Sequence, residues 1–495
     1  MRQVINPQLQ FGEQDISAIV LDPRSRDDIP RILRGLQYIY TTAELRAEVF
    51  AILAEVLPEG ADGKGKVSAE TGRPGMEQWK ILVLGTLRLG LNADYDRIHE
   101  LANQHTTIRQ MLGHSDWADE RRYSLQRLEE NLRLFTPEIL DRINQVVVRA
   151  GHQLVKKSPE EGLEARADSF VVKTDVHYPT DLNLLLDAVR KAIETCAQLC
   201  QDEGLSDWRQ SKHNIRKLKR LYRRLQSLKR STAKDPDKRA ARQGEIEQAC
   251  REYLALAEDF LARARDTRAT LHIGCDLPTI LLAELDQYIA YGELLSDQVR
   301  RRILNGERIP HEEKIFSIFQ PHTEWISKGK AGVPVELGLR VAICEEQHGF
   351  ILYHQVMEKT TDDQIAIPLI KETCARFPEV TSASMDKGFH SPANQKGLAE
   401  IIPLPVVPKK GKCTAAESAR ESDPEFIRLR RRHSAVESAI NALEAHGLDL
   451  CRDHGIGGFK RYVALAVVGR NLHRLGAILL AQEAERERRR RARAA

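Results

Sequence analysis

The feature that most constrains the fold of this chain is a change in the spacing of its apolar residues. Up to about residue 155, and again over residues 182–304, apolar residues recur every three or four positions, which is typical of helices. Residues 165–175 instead contain a β-branched and aromatic run, and residues 337–343 alternate apolar and polar side chains; both patterns indicate strands. We therefore expect a mixed fold in which a long helical tract separates one strand from the rest of its sheet.

Strands and helices alternate after the helical tract. In order, the sequence predicts a β-hairpin at 337–343 and 350–356, a helix at 363–376, a strand at 380–385, a helix at 392–400 and a strand at 401–407. Asp423 followed by Pro424 is typical of a helix start, and Gly447 is typical of a helix end. We expect one continuous helix between these two signals.

Positive charge is concentrated in one part of the chain. Residues 209–242 hold fourteen Lys and Arg but only two acids, whereas the 495-residue chain as a whole has a net charge of +4. Apolar residues at helical spacing run through this segment and predict an amphipathic helix with a strongly positive outer face. Such a face favours contact with phosphate groups, and Lys217, Arg220 and Arg224 are the candidate DNA-binding residues. A second basic run occupies residues 486–493.

Two short helical patterns in the N-terminal third are separated by only two residues. They cover residues 94–103 and 106–112, after a strongly apolar helix at 76–89. Two interpretations remain open at this point. The pair could be a helix-turn-helix that binds DNA, or it could belong to an ordinary helical bundle.

No membrane-spanning or targeting segment is expected. The first 22 residues carry charges and lack a continuous apolar stretch, and the apolar residues 462–481 are interrupted by Arg470, His473 and Arg474. The eight cysteines include no Cys-x-x-Cys pair and indicate reduced thiols. We therefore expect a cytoplasmic protein without a membrane partner.

Three acids stand at related places in the order of elements. With the helical tract set aside, that order is the one of an α/β ribonuclease H-like domain, in which acids on the first strand, after the fourth strand and on the last helix meet. Here these places hold Asp168, Asp386 and Glu437. Taken singly, each acid has an ordinary explanation as an edge, turn or solvated residue. Together, at the expected places of one fold, they favour a shared active site.

Carboxylates grouped in this way suit the cleavage of a phosphodiester. The reaction needs an activated water, neutralised charge and a stabilised leaving oxygen, and two metal ions about 3.5–4 Å apart supply all three. Magnesium prefers oxygen ligands and accepts water and phosphate in its shell. We therefore predict that Asp168, Asp386 and Glu437 bind two Mg²⁺ ions, for which Mn²⁺ could substitute.

Four regions, in order along the chain, resemble motifs of insertion-sequence DDE transposases. They are Asp168-Ser-Phe-Val-Val with His177-Tyr-Pro-Thr-Asp181, Trp325-Ile-Ser-Lys-Gly-Lys330 with Val335-Glu-Leu-Gly338, Ser384-Met-Asp-Lys-Gly-Phe-His-Ser391, and Arg432-His-Ser-Ala-Val-Glu-Ser-Ala-Ile-Asn441. The resemblance extends over about residues 70–480 and is greatest to the ISNCY group.

The resemblance implies a DDE transposase. Such an enzyme cleaves DNA at the inverted-repeat ends of an insertion sequence and joins the 3′-OH ends to target DNA. It also implies a homodimer or higher oligomer on DNA, in a bacterial cytoplasm and associated with the nucleoid. Related families have an Arg four residues before the Glu and a Lys seven after it, where this chain has His433 and Glu444. Arg431 and Arg432 are the candidates to contact the terminal phosphate instead.

Three alternatives remain open. Asp175, seven residues after Asp168, could be the first acid. A tyrosine recombinase would also be a basic DNA-cutting protein, but it needs a His-x-x-Arg motif, and Val436 stands three residues after His433. A non-catalytic DNA-binding protein descended from a transposase would not need an intact set of three acids.

The predicted domain organisation follows from these patterns. A helical N-terminal domain, with the candidate helix-turn-helix, covers residues 1–155. The ribonuclease H-like catalytic domain combines residues 160–181 with 310–480, the helical insertion with its basic arm covers 182–309, and a basic tail covers 481–495.

Overall fold

A computed structural model describes residues 3–6, 13–57, 75–115, 120–158, 160–230, 235–271, 279–327 and 334–494. The chain forms two compact units: the first combines Met1–Asp175 with Ile326–Ala495, and the second is Val176–Trp325. Part of the motif that begins at Trp325 lies outside the described residues, because residues 328–333 are not among them.

One mixed sheet of seven strands is found in the described part of the chain. Its strands are β1 (Leu163–Thr174), β2 (Glu324–Ser327), β3 (Val335–Glu345), β4 (Ile351–Met357), β5 (Val380–Met385), β6 (Leu404–Val406) and β7 (Leu450–Cys451). The strand order is β2-β3-β1-β5-β6, with β4 also paired to β3 and β7 also paired to β1. β3 runs antiparallel to β1 and β4, whereas β5 and β7 run parallel to β1, and β6 runs parallel to β5.

Seventeen α-helices occur among the described residues. They are α1 (Asp28–Thr41), α2 (Ala43–Leu53), α3 (Gln78–Gly90), α4 (Tyr95–Gln104), α5 (Thr106–Met111), α6 (Leu125–Leu132), α7 (Pro137–Val155), α8 (Asp181–Asp202), α9 (Ser211–Lys229), α10 (Pro236–Thr270), α11 (Thr279–Val299), α12 (Asp362–Arg376), α13 (Pro392–Ala399), α14 (Ala415–Glu421), α15 (Pro424–Arg432), α16 (Ala435–Leu443) and α17 (Gly455–Ala494).

The turn of the predicted hairpin is present between β3 and β4. Gly349 has a φ of 83°, a conformation that glycine adopts without steric cost. The carboxylate of Glu346 accepts hydrogen bonds from the backbone N–H groups of His348 and Phe350, at 2.6 and 3.0 Å. Buried Phe350 then anchors the start of β4 in the core.

The N-terminal helices do not form a domain of their own, so the predicted boundary at residue 155 is wrong. One continuous apolar core includes residues of α1, α3 and α7, of the sheet and of α17. α17 packs against α1, α3 and α7. A contact between the two ends of the chain leaves no signal in local periodicity, which is why the sequence suggested a separate domain.

The two helices of the candidate helix-turn-helix, α4 and α5, are joined by the single residue His105. A helix-turn-helix joins its helices by a turn of about three to four residues. The second helix has only six residues, and its Ile108 and Met111 are fully buried in the core. These features favour the other interpretation, in which the pair belongs to the helical packing of the first unit.

The helix predicted from Asp423 to Gly447 is divided into α15 and α16. Around His433 and Ser434 the backbone hydrogen bonds tighten: Val436 N–H donates to the carbonyl of His433 at 3.0 Å, and Glu437 N–H to that of Ser434 at 3.3 Å. These bonds span three residues instead of four and bend the chain. The predicted start and end are present, since Asp423 caps α15 and Gly447 has a φ of 95°.

The second unit is helical and has its own apolar core. It contains α8, α9, α10 and α11, and its core side chains include Leu218 and Leu225 of α9. It begins and ends a few residues outside the predicted insertion at 182–309, because residues 176–181 and 310–325 pack with the helices.

α17 is the one described helix long and apolar enough to cross a membrane, judged by length and composition alone. Of its most apolar window, 78 % is buried inside the protein. Packing against α1, α3 and α7 accounts for this apolar character. The predicted basic tail is the exposed last part of the same helix.

The close crossing of α1 and α17 depends on glycine. A Cβ atom at Gly476 would overlap the backbone carbonyl oxygen of Arg31. We expect Gly476→Ala to lower the free energy of unfolding by about 1–3 kcal/mol, because the two helices must move apart. Gly457→Ala, in the same helix but facing open space, should leave it unchanged or raise it by up to about 1 kcal/mol. Urea unfolding measures both, and equal effects would contradict the proposed crossing.

Candidate active site

The register of β1 against β5 brings two of the predicted acids together. The strands run parallel and Ala167 pairs with Met385, so that Asp168 and Asp386 each follow a paired residue. Neighbouring strands lie about 4.8 Å apart. The two acids therefore lie side by side where β5 ends, and Asp386 is held there by the N–H of Lys387, which donates to its Oδ1 at 2.7 Å.

A gap in the sheet borders this pair of acids. β3 pairs along one edge of β1, so β5 and β7 share the other edge. On that edge, pairing with β5 ends at Ala167 and pairing with β7 begins at Lys173. Within the described chain, no strand pairs with residues 168–172 on this edge. The opening leaves Asp386 exposed and Asp168 partly exposed.

The third acid reaches the same place from α16. Buried Val436, Ala439 and Leu443 hold this helix in the core, and the helix contacts β1. Glu437, in its first turn, is exposed. His433 lies four residues earlier, and its Nδ1 is 3.3 Å from Ser384 Oγ on β5. α16 therefore begins over the end of β5.

A fourth acid, Asp362, was not among the predicted residues. Its Oδ1 accepts a hydrogen bond from Ser169 Oγ at 2.6 Å, next to Asp168. Its Oδ2 would lie 3.2 Å from a Cβ atom at Gly388, two residues after Asp386. Glycine at this position makes room for the carboxylate. Asp362 is in the first turn of α12, where an acid usually interacts with the helix dipole, so the sequence alone did not single it out.

The acids affect one another electrostatically. The pKa of Asp168 is raised to about 6, first by burial and then by the negative charges of Asp386, Asp362 and Glu437. The N–H of Ser169 opposes this shift by donating to Asp168 Oδ1 at 2.7 Å. Among the described residues, no Lys, Arg or His forms an ion pair with any of the four acids. The site therefore has negative charge that the protein does not neutralise.

Asp175 does not join this group. It follows the last residue of β1 and is exposed. Side chains alternate between the two faces of a strand, and Asp175 is an odd number of residues, seven, after Asp168. The alternation would therefore place the two side chains on opposite faces. The structure thus brings together Asp168, Asp386 and Glu437 and leaves the alternative first acid apart.

Some of the arginines of α15 already form ion pairs within the protein. Arg432 forms an ion pair with Glu164 at 2.9 Å, and Arg428 binds the same carboxylate at 2.6 Å. Arg431 is exposed. It forms no ion pair with a described residue, so it is the better placed of the two predicted arginines to meet an external anion. His433 is partly buried, and burial lowers its pKa.

The acids fit magnesium in donor type and in charge, but their oxygens do not converge. Carboxylates are the hard ligands that this ion prefers. In the part of the chain that the structure describes, no group of three His, Cys, Asp or Glu side chains encloses a point at which a metal ion could be held. Binding would therefore require the exposed side chains of Asp386 and Glu437 to turn towards Asp168.

The predicted basic face lies on α9 in the second unit. Lys217, Arg220 and Arg224 are exposed, while Leu218 and Leu225 of the same helix are buried. Arg224 forms an ion pair with Glu252 of α10 at 2.7 Å. No ion pair with a described residue is formed by the other basic residues of the face, which are Lys212, Arg216, Lys217, Lys219, Arg220 and Arg223.

Comparison with protein-family models, with curated proteins and with solved structures finds no match for this chain.

The raised pKa of Asp168 predicts how stability depends on pH. The carboxyl has a pKa near 3.8 when unfolded and about 6 when folded, so the folded chain holds more protons between these values. Its contribution to the free energy of unfolding therefore falls as the pH rises from about 4 to 6. We expect Asp168→Asn to raise that free energy at pH 7.5 by about 1–3 kcal/mol, discounted for partial exposure, and to have little effect below about pH 4.

Urea unfolding across this pH range, in EDTA, measures the effect. Asp175→Asn is the matched control and should leave the pH profile unchanged. A destabilising effect of Asp168→Asn at pH 7.5 would show that the negative charge of Asp168 is satisfied within the protein.

Proposed function

We propose that this protein is a DDE transposase with a ribonuclease H-like catalytic domain. The observation that carries the proposal is the parallel register of β1 and β5, in which Asp168 and Asp386 follow the paired residues Ala167 and Met385. The sheet topology gives further support: β3, which is antiparallel to both β1 and β4, lies on one side of β1, while β5 and β6 lie on the other side and run parallel to β1. Glu437 from the last helix before β7 completes the predicted set of acids.

The proposed reaction has two steps at the ends of an insertion sequence. In the first, a water oxygen attacks phosphorus and the bond to the 3′ oxygen breaks, which leaves a 3′-OH. In the second, that 3′-OH attacks a phosphodiester of target DNA, and a new bond replaces the one that breaks. Two bound Mg²⁺ ions, or Mn²⁺ ions, would supply the activation of the water and the stabilisation of the leaving oxygen.

This chain's own residues have distinct proposed parts. Asp168, Asp386 and Glu437 would hold the metal ions, and Asp362 would position Ser169 and the backbone at Gly388. The unneutralised charge of the four acids repels DNA phosphate until cations are present. Arg431 would contact the phosphate beside the cleaved bond. An oligomer, a homodimer or larger, would join two ends of the element.

The role of Asp386 can be tested by removing its charge and keeping its shape. Asp386→Asn should lower Mg²⁺-dependent cleavage of a plasmid carrying the DNA that flanks the gene by about a hundredfold or more. Binding to the same DNA, measured by gel shift in EDTA, should stay within about twofold. Equal losses of binding and cleavage would instead assign Asp386 a structural role.

Two further acids serve as comparisons in the same assay. Asp449→Asn removes an exposed acid of the same unit, which pairs with Lys173 at 2.7 Å, and should leave cleavage unchanged. Asp175→Asn should also retain cleavage. Loss of cleavage in Asp175→Asn with full activity in Asp168→Asn would transfer the role of first acid to Asp175.

We also propose that the basic face of α9 contacts DNA. Its cations are exposed, and all of those named above except Arg224 are without an acidic partner among the described residues. Each phosphate contact with duplex DNA contributes about 0.9 to the slope of log K against log salt concentration. A face of this kind would supply the sequence-independent attraction that the acids cannot provide.

Replacement of Lys217, Arg220 and Arg224 by Gln should weaken duplex binding and flatten the salt slope by about 2 to 3. Arg224→Gln alone should have the smallest effect, because this side chain already pairs with Glu252. Fluorescence anisotropy at several salt concentrations measures both quantities.

The matched control removes the same number of positive charges from paired arginines. Arg265, Arg268 and Arg300 pair with Glu293, Asp286 and Glu258, respectively. Their replacement by Gln should leave the salt slope nearly unchanged. If both triple variants lose affinity equally, the attraction depends on total charge and not on α9.

A further inference from the structure

A cavity of about 320 Å³ lies within the second unit. Its lining includes Tyr178, Thr180, Arg302, Lys314, Phe316 and Trp325. Two of the motifs noted in the sequence meet here, since Tyr178 and Thr180 belong to the stretch that begins at His177, and Trp325 begins another. Neither the stretch from His177 to Asp181 nor the one that begins at Trp325 contributes an acid to the candidate active site, so both need a separate explanation.

Aromatic rings form one wall of the cavity. The ring of Trp325 lies 5.7 Å from that of Tyr178 and 5.7 Å from that of Phe316, measured between centroids. Tyr178 is 63 % exposed, which is unusual for a large aromatic side chain. The planes of Tyr178 and Trp325 meet at 66°, so a planar ligand can stack on only one of these two rings, and Tyr178 is the more exposed one.

Positive charge forms another part of the lining. Arg302 pairs with Asp181 at 2.8 Å, and exposed Lys314 has no ion-pair partner in the described part of the chain. Thr180 and Asp181 begin α8, whose N-terminal end adds partial positive charge. The lining thus contains two cations, Arg302 and Lys314, and one acid, Asp181.

We propose that this cavity binds an unpaired nucleotide of DNA, with its base stacked on the exposed ring of Tyr178, which Trp325 contacts edge-on, and its phosphate near Lys314. Base stacking on aromatic side chains combined with positive charge is how proteins bind single-stranded nucleic acid. The volume suits one nucleotide and excludes a base pair in a duplex. The inference rests on the proposed function only in its choice of DNA as the ligand, and it requires neither the acids nor a metal ion.

The test uses 2-aminopurine, whose fluorescence is quenched by stacking. The probe is placed in a single-stranded heptanucleotide, in the unpaired overhang of a duplex, in the middle of a duplex, or in a free deoxynucleoside monophosphate. All titrations are made with the full chain in EDTA. Quenching is expected for the strand and the overhang but not for the paired base. Equal affinity for the free mononucleotide and the heptanucleotide would overturn the assignment to a DNA strand.

Variants separate the cavity from general effects. Tyr178→Ala should weaken binding of the heptanucleotide about 5- to 100-fold, which is the range for loss of one stacked base. Trp325→Phe should retain most of the affinity, since an aromatic ring still supports Tyr178. Lys314→Gln should lower the salt slope by about 0.7. Phe319→Ala, at an aromatic side chain that is 38 % exposed in the same unit but outside the cavity lining, is the control.

The outcome does not depend on catalysis. The proposal would be overturned if Phe319→Ala lost as much affinity for the heptanucleotide as Tyr178→Ala does. It would also be overturned if Tyr178→Ala left the quenching of 2-aminopurine intact. Retained quenching in a protein that shows no Mg²⁺-dependent cleavage would support this binding site while removing the proposed transposase activity.

Discussion

The hydrogen bonds of β1 are the constraint on which the rest of the first unit depends. A buried strand must satisfy its N–H and C=O groups on both edges. β3 takes one edge continuously, but the other edge is divided between β5, which pairs as far as Ala167, and β7, which begins at Lys173. The chain therefore leaves the sheet at Asp386, where β5 ends. It passes through α16, which contacts β1, before it re-enters the sheet as β7. The gap and the grouping of acids follow from this division.

The grouping of acids is unfavourable by itself, so other interactions must hold it. Burial and, after it, the like charges of the other acids raise the pKa of Asp168, and no described cation forms an ion pair with it. The apolar side of α16, with Val436 and Leu443 buried, fixes Glu437 near the other acids despite their repulsion. The buried side of α16 can hold its acidic first turn in place because burial of large apolar side chains stabilises the fold by more than the repulsion between partly solvated charges destabilises it.

Local patterns in the sequence predicted β1, β3, β4, β5 and β6 and the hairpin turn, because side-chain alternation and capping are properties of neighbouring residues. They did not predict β2 and β7, which have only four and two residues. Three further features escaped them for physical reasons. Asp362 is in a helix first turn, where an acid is ordinary. The bend at His433 lies beside a contact with Ser384, which is far away in the chain and leaves no signal in local periodicity. The packing of α17 on α1 joins the two ends of the sequence and removes the expected domain boundary. Asp168 is near enough to Asp386 and Glu437 for their charges to raise its pKa, after burial as the main cause, and their joint role as metal ligands stays a proposal.

Charge in the second unit is segregated more sharply than solubility requires. Four of the six arginines of α10 form ion pairs with acids, as in the pair of Arg268 with Asp286, and so does Arg300 after α11, which pairs with Glu258. α9 instead carries like charges at i and i+4, such as Arg216 with Arg220, which destabilise an isolated helix by a few tenths of a kcal/mol per pair. A solvated face with alternating signs would avoid this repulsion. A bound polyanion would reverse it, because each phosphate would interact favourably with several of the same cations. The unpaired charge of α9 therefore supports the proposal that this helix contacts a polyanion.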